Sequence, residues 1–217
     1  MTKKLFKKIL IIGCGGHAKV ITDISKSLGI QDFYYIDKNI DKNKFLGNDV
    51  FHHDVKDYDN HFFVALGDNF LREKITTEFQ KKNPKSINAT LIHPSSIISE
   101  NCFIGEGTVI MPSCVINSSC KIGKGVIINT KASLDHDNCL MNYSSVAPGV
   151  VTGGNVKIGH RSAISIGAVI KNDIEIGADT VIGASSYVNK NIPNNFLAYG
   201  IPTKIIKRRE ASDKYLN

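Results

Sequence analysis

Within the run Leu134-Asp135-His136-Asp137-Asn138-Cys139 a histidine stands between two carboxylates. An imidazole with a pKa of about 6.5 can accept a proton at neutral pH, which suits it to general-base work. A carboxylate beside it can fix the ring's tautomer and stabilise the imidazolium as it forms. Asp135 and Asp137 both have that reach, and spacing alone does not choose between them. A second chemical feature is Gly13-Cys14-Gly15-Gly16-His17-Ala18, directly after the apolar run Ile9-Leu10-Ile11-Ile12. Glycines there let a backbone approach a ligand closely, and the start of a following helix attracts anionic groups. Asp37, at the end of the next expected strand, can accept hydrogen bonds from a ribose or a base edge.

Other reactive side chains have simpler explanations. Of the five cysteines, Cys102, Cys114 and Cys120 fall in a packing register, no CxxC occurs, and a reducing cytoplasm fits them. Cys139 is three residues from His136, but coil packing accounts for it without a nucleophilic role. His52, His53 and His61 have no evident carboxylate pairing, and no set of residues has metal-ligand spacing.

The element that must carry His136 is periodic. From Ile98 to Val188 an aliphatic residue returns every six positions, and Thr152 is the only lapse. Four residues after each comes a small or β-branched side chain, with Asn138 the one sizeable polar outlier. A period of six fits neither a helix nor an alternating sheet, and it marks a parallel β-helix. Sixteen such units make about five coils, a column about 25 Å tall. Corners face outward, so His136 is expected on an open groove.

The first ninety residues read differently. Strands are expected at 8–12, 31–36, 61–66 and 88–92, with helices at 19–28 and 70–82 and a turn at Gly67-Asp68-Asn69. Strands alternating with helices imply a small parallel α/β sheet. The glycine segment and Asp37 fit a dinucleotide fingerprint, but ninety residues are too few for two mononucleotide-binding halves. A nucleotide-linked substrate suits the loop better.

The net charge of +7 suits phosphorylated small molecules. Its lysines and arginines gather at the two ends, at Lys3, Lys4, Lys7 and Lys8 and at Lys204, Lys207, Arg208 and Arg209, with no interleaved aromatics, which argues against nucleic-acid binding. No segment is long and apolar enough to suggest stable membrane insertion. The basic tail after Pro202 is expected to be partly ordered and to cover the last coil.

Taken together, the chain resembles the hexapeptide-repeat sugar acetyltransferases, and is similar to the bacterial UDP-4-amino-sugar N-acetyltransferases and to the sialic-acid O-acetyltransferase family. The resemblance rests on Gly13-Cys14-Gly15-Gly16-His17-Ala18-Lys19-Val20, Gly67-Asp68-Asn69, Leu91-Ile92-His93-Pro94, Asn129-Thr130, His136-Asp137, Ala147-Pro148-Gly149, Gly153-Gly154-Asn155 and Tyr199-Gly200-Ile201-Pro202. It implies a Rossmann-like nucleotide-sugar-binding domain at 1–92 and a left-handed β-helix acetyltransferase domain with a tail at 93–217. It implies a cytoplasmic homotrimer with sites between subunits and acetyl-CoA as co-substrate.

The residues matching the family's catalytic positions are His136 as base, Asp137 as its partner, Asn129 near the reacting centre and Gly154 as the N–H donor to the thioester carbonyl. Ser145, Gly154, Ile166, Gly183 and Ala184 match the coenzyme side, and Gly15, Gly16, His17, Asp37, Gly67 and Asp68 the nucleotide-sugar side. Some relatives carry a second histidine where this chain has Ser145. His160 and Arg161 at another corner could meet coenzyme phosphates or solvent. The implied reaction is direct N-acetylation of a UDP- or dTDP-linked 4-amino-deoxysugar for a bacterial surface glycan. O-acetylation of a sugar such as sialic acid and a non-catalytic nucleotide-sugar-binding trimer are the alternatives.

Overall fold

The computed structural model describes residues 6–38, 41, 43–52 and 60–216; Lys3, Lys4 and His53 lie outside them. The N-terminal sheet holds β1 (Lys8–Ile12), β2 (Asp32–Ile36), β3 (Lys44–Phe45), β4 (Asn48–Phe51), β5 (His61–Val64) and β6 (Ile87–Asn88), in the order β3-β4-β2-β1-β5-β6. All neighbours are parallel except β3 and β4, a short hairpin at the edge that the sequence reading does not contain. Helix α1 (Gly16–Ser27) begins three residues earlier than expected, because Gly15 is its N-cap and the glycine segment supplies the first turn. Ala18, Ile21, Thr22, Ile24 and Ser25 form its buried face, the spacing of an amphipathic helix. Helix α2 (Asn69–Lys82) is capped by Asp68, whose Oδ1 accepts from the Leu71 N–H at 2.9 Å. Its buried residues, Asn69, Arg72 and Thr76, are polar.

The expected strand at 88–92 is two strands. β6 pairs with β5, whereas Leu91–Ile92 pairs with Val109–Ile110. Ala89 and Thr90 carry the chain from one sheet to the other, a change of partner that an unbroken apolar pattern does not register.

Leu91–Ile92 is β7, the first of seventeen two-residue strands that recur every six residues up to β23 (Tyr187–Val188). A bridge between Ile176 and Ile192 adds an eighteenth unit, so the column has six coils and not five. At the usual strand spacing it is about 29 Å tall. Partners lie eighteen residues apart, as in Val109↔Ile127↔Ser145, and the β-helix is left-handed. The second residue of each strand points inward, and the register four residues later is buried from Thr108 to Ile192. Alternation by two explains the first observation, and the narrow prism explains the second.

The three outer faces differ. The first, carrying Leu91, Val109, Ile127, Ala163 and Val181, is buried under the α/β domain and merges with its core. The second presents Ile97, Val115, Ser133, Val151, Val169 and Tyr187; it is mostly apolar and open, with Ile97 69% exposed. The third presents Phe103, Lys121, Cys139, Lys157 and Glu175, a largely charged surface.

After the last coil, β24 (Phe196–Gly200) extends the first face, and β25 (Thr203–Arg208) folds back on it antiparallel. The tail beyond it is anchored, a correction to the expected partial order. Arg209 is 7% exposed and donates to the Asp179 carbonyl at 2.7 Å and the Asp213 carbonyl at 2.6 Å. Tyr215 then reaches the α/β domain, where its hydroxyl accepts from the Asn69 N–H at 2.9 Å and donates to the Gly67 carbonyl at 3.4 Å.

Candidate active site

Two separate half-sites emerge, one at each edge of the open second face. The first begins at the glycine segment. The Gly13 N–H donates to the Ile36 carbonyl and the Cys14 N–H to Asp37 Oδ2 at 2.8 Å, which ties the loop to the end of β2. A Cβ on Gly15 or Gly16 would meet nothing within 4 Å, so both glycines border open space. The N-terminus of α1 carries no side-chain cap and no acidic residue in its first turn, an arrangement that favours an anion. Gly13 to His17, Asp37, Lys38, Gly67 and Leu216 line a cavity of about 690 Å³ there.

A smaller cavity of about 120 Å³ continues onto the solenoid and shares His17, Gly67 and Leu216 with the first. Asn129, Ser145, Ala147, Ser165 and Tyr215 also line it. The His17 Nε2 is buried there without a hydrogen-bond partner. Burial, and secondarily the charge of Arg72, lowers the pKa of His17 to about 4, so the ring is neutral at physiological pH. Ser145 Oγ accepts from Asn69 Nδ2 at 3.0 Å, so this hydroxyl fastens α2 to the solenoid. Asp68 lines neither cavity and serves as the α2 cap.

Arg72 holds the two domains together behind this half-site. Its Nε donates to the Gly125 carbonyl, Nη1 to the Leu66 and Gly67 carbonyls, and Nη2 to Asn69 Oδ1 and the Tyr143 carbonyl, at 2.7–3.2 Å. Burial pulls its pKa down to about 10, which leaves it charged.

The second half-site is the His136 corner. His136 Nδ1 lies 2.8 Å from Asp137 Oδ2. Asp135 is otherwise engaged: its Oδ1 accepts from the His136 N–H at 2.8 Å and from Asn117 Nδ2 at 3.2 Å. Asp137 is therefore the carboxylate on the ring and Asp135 the one that shapes the turn. Asp137 adopts φ 59°, a left-handed corner conformation that aspartate tolerates. The hydrogen bond to Asp137, then the charge of Asp135, holds the His136 pKa above its ordinary value. Gly154 packs directly on the ring, since a Cβ there would lie 2.6 Å from Nε2. Among the described residues the Gly154 N–H makes no hydrogen bond, while its carbonyl accepts from Asp173. His136, Gly154, Asp135 and Asp173 line an open groove of about 390 Å³.

The structure thus groups His17, Gly67, Asn129 and Ser145 at one corner and His136, Asp137 and Gly154 at the next, and no residue lines both groups' cavities. Ile166 and Ala184 lie exposed on the first corner, while Gly183 sits beneath Tyr199. His160 and Arg161 are not free for phosphates. Glu73 Oε2 binds His160 Nε2 at 3.1 Å and Arg161 Nη1 at 2.7 Å, and Asp179 takes Arg161 at 2.7 Å. Tyr215 and Leu216, which sequence reasoning left in an ordered-only-in-part tail, line the first half-site. No group of three or more histidines, cysteines or carboxylates could hold a metal among the described residues. No helix among them is long and apolar enough to cross a membrane.

Comparison with known proteins adds names to this geometry. Residues 8–79 match the PglD N-terminal domain family, and residues 95–136 match the bacterial transferase hexapeptide family. A GDP-perosamine N-acetyltransferase of Escherichia coli O157:H7 is 29% identical over 157 residues, 70% of each chain. PerB from Caulobacter crescentus, solved in complex with CoA and GDP-perosamine, is 32% identical with a TM-score of 0.82, over 92% of this chain and 97% of that one. The acetyltransferase domain of PglB from Neisseria gonorrhoeae, solved with acetyl coenzyme A, is 28% identical with a TM-score of 0.84, over 93% of this chain and 100% of that one.

Proposed function

This chain belongs to the hexapeptide-repeat sugar acetyltransferases, and from that premise we propose that it transfers the acetyl group of acetyl-CoA to the amine of a nucleotide-linked 4-amino-deoxysugar. The observation that carries the reading is the pairing of a nucleotide-sized cavity at the N-terminus of α1 with a carboxylate-held imidazole beside a glycine. The relatives' GDP-perosamine adds GDP to UDP and dTDP as the candidate nucleotide.

The diphosphate lies against Gly15, Gly16 and the first turn of α1. Neutral His17 lends its Nε2 to the sugar or phosphate without a charge that pH would switch. The sugar amine attacks the thioester carbonyl, so a C–N bond forms and the carbonyl electron pair moves onto oxygen; the oxyanion then collapses and the C–S bond breaks. His136 Nε2 takes the amine proton, Asp137 holds the ring through Nδ1, and the proton passes to the departing thiolate. The Gly154 N–H donates to the oxyanion, a contribution of about 3 kcal/mol. In this reading no covalent enzyme intermediate is needed.

In this reading the two halves of one working site come from different copies, which their separation on two corners of one prism supports. The open apolar second face runs between them. Packing three such faces about an axis buries them and brings the His136 corner of one copy to the Asn129 corner of its neighbour. The assembly we propose is a homotrimer, with coenzyme in the groove between prisms near Ile166 and Ala184.

The test is thiol release from acetyl-CoA with GDP-, UDP- and dTDP-linked 4-amino-deoxysugars, with sialic acid as a parallel acceptor. Fast turnover of one amino sugar, lost in His136→Ala by about a hundredfold or more, is the expected result. Turnover only with the hydroxyl acceptor moves the assignment to O-acetylation. Binding without thiol release by any acceptor leaves a non-catalytic nucleotide-sugar-binding protein.

A further inference from the structure

The two polar exceptions to the repeat, Asn138 and Thr152, lie under the same turn, the one that carries His136. Asn138 is fully buried, and its Nδ2 donates to the Asp135 carbonyl at 2.6 Å and to the Gly153 carbonyl at 3.0 Å. Thr152 Oγ1 accepts from the Asp135 N–H at 3.3 Å.

Other coils show what this register ordinarily does. Thr108 donates to the Gly123 carbonyl, Cys114 to Asn129 and Cys120 to Asp135, each fifteen residues ahead. Ser144 instead donates three residues back, to the Met141 carbonyl. A hydroxyl or thiol has one hydrogen and can do one or the other. The amide of Asn138 has two and does both. It joins the turn bearing the base to the turn bearing Gly154 on the next coil, at the cost of a buried Oδ1 with no partner.

We propose that Asn138 is a positioning residue for the transfer reaction, whose amide clamps the His136 turn to the Gly153-Gly154 turn and so fixes the base over the oxyanion donor. The inference rests on the acetyl-transfer reading above. It explains why a register otherwise filled by small or β-branched side chains holds an amide at this one coil: positioning of the base is retained although a plain packing residue would satisfy the fold.

The test uses Asn138→Cys, which keeps one of the two bonds, and Asn138→Val, which keeps neither but conforms to the repeat. Both are compared with the wild type and His136→Ala. The expected result is a kcat lowered about tenfold or more in Asn138→Val and less in Asn138→Cys, with both KM values within about twofold and the melting temperature unchanged or raised. The acid limb of the pH–rate profile moves with kcat, because Asp135 and Asp137 flank the displaced ring. A wild-type kcat in Asn138→Val overturns the proposal. So does a kcat loss accompanied by a fallen melting temperature and raised KM values for both substrates, which marks loss of structure alone. If His136→Ala is itself fully active, the acetyl-transfer reading fails and takes this one with it, an outcome distinct from the other two.

Discussion

Gly154 lies against the edge of the His136 ring so closely that a methyl group on its α-carbon would fall 2.5 Å from Cε1 and 2.6 Å from Nε2. A side chain at 154 must therefore push the imidazole aside while leaving the coil intact. Gly154→Ala is expected to lower kcat about a hundredfold, with an unchanged circular dichroism spectrum and melting temperature. Activity within threefold of wild type would show that the ring does not work from this position.

With His136 as the proposed base, the acid limb of activity reports its ring. His136 must be neutral to accept a proton, so activity falls as pH drops through its pKa. Because Asp137 and then Asp135 raise that pKa, the limb of kcat/KM lies above the ordinary histidine value of about 6.5. Asp137→Asn removes the largest cause and shifts the limb to lower pH, while kcat falls because the ring loses its orienting acceptor. A limb that stays in place in this variant removes Asp137 from the ring's electrostatics.

The proposed sharing of each site between two copies predicts complementation. Gly16→Trp fills the nucleotide cavity from a backbone position with open space beside it, and His136→Ala removes the base from the other corner. Each variant alone is expected to be inactive. Co-assembled in equal amounts, they regain about a quarter of the wild-type sites, because each site draws one half from each of two copies. No recovery in demonstrably mixed assemblies would place both halves of a working site in a single chain.

Arg72 is the stability test. Replacing it with Met removes hydrogen bonds to five acceptors, of which the Gly125 and Tyr143 carbonyls lie across the seam between the domains. The expected loss is about 3 kcal/mol or more, read from urea unfolding. A loss below about 1 kcal/mol would mean that water or a shifted α2 replaces the guanidinium.

The period of six made the solenoid, its inward register and the exposure of His136 legible, because each depends on residues six or eighteen apart. The early turn of α1 and the split at Ala89-Thr90 were not, since a glycine segment and an apolar run read alike in either arrangement. The choice of Asp137 over Asp135 depends on a contact across coils: Asp135 is claimed by Asn117, eighteen residues away. For His160 and Arg161 the spacing leaves coenzyme phosphates or solvent open, because their partner Glu73 comes from the other domain. Tyr215 looked like loose tail, yet its anchors, Gly67 and Asn69, lie almost 150 residues earlier.

The eighteen-residue coil also limits how such a chain can change in length. Losing one hexad between Ile92 and His136 turns every later corner by a third of a revolution. The base would then leave the corner between the apolar and charged faces for the corner beside the face buried under the α/β domain. Only whole coils can be added or removed there with His136 kept at the same corner, so the height of that corner above the nucleotide pocket varies in steps of about 4.8 Å. Reach toward longer or shorter acceptors along this column comes in rungs, and finer adjustment falls to the side chains at the corners.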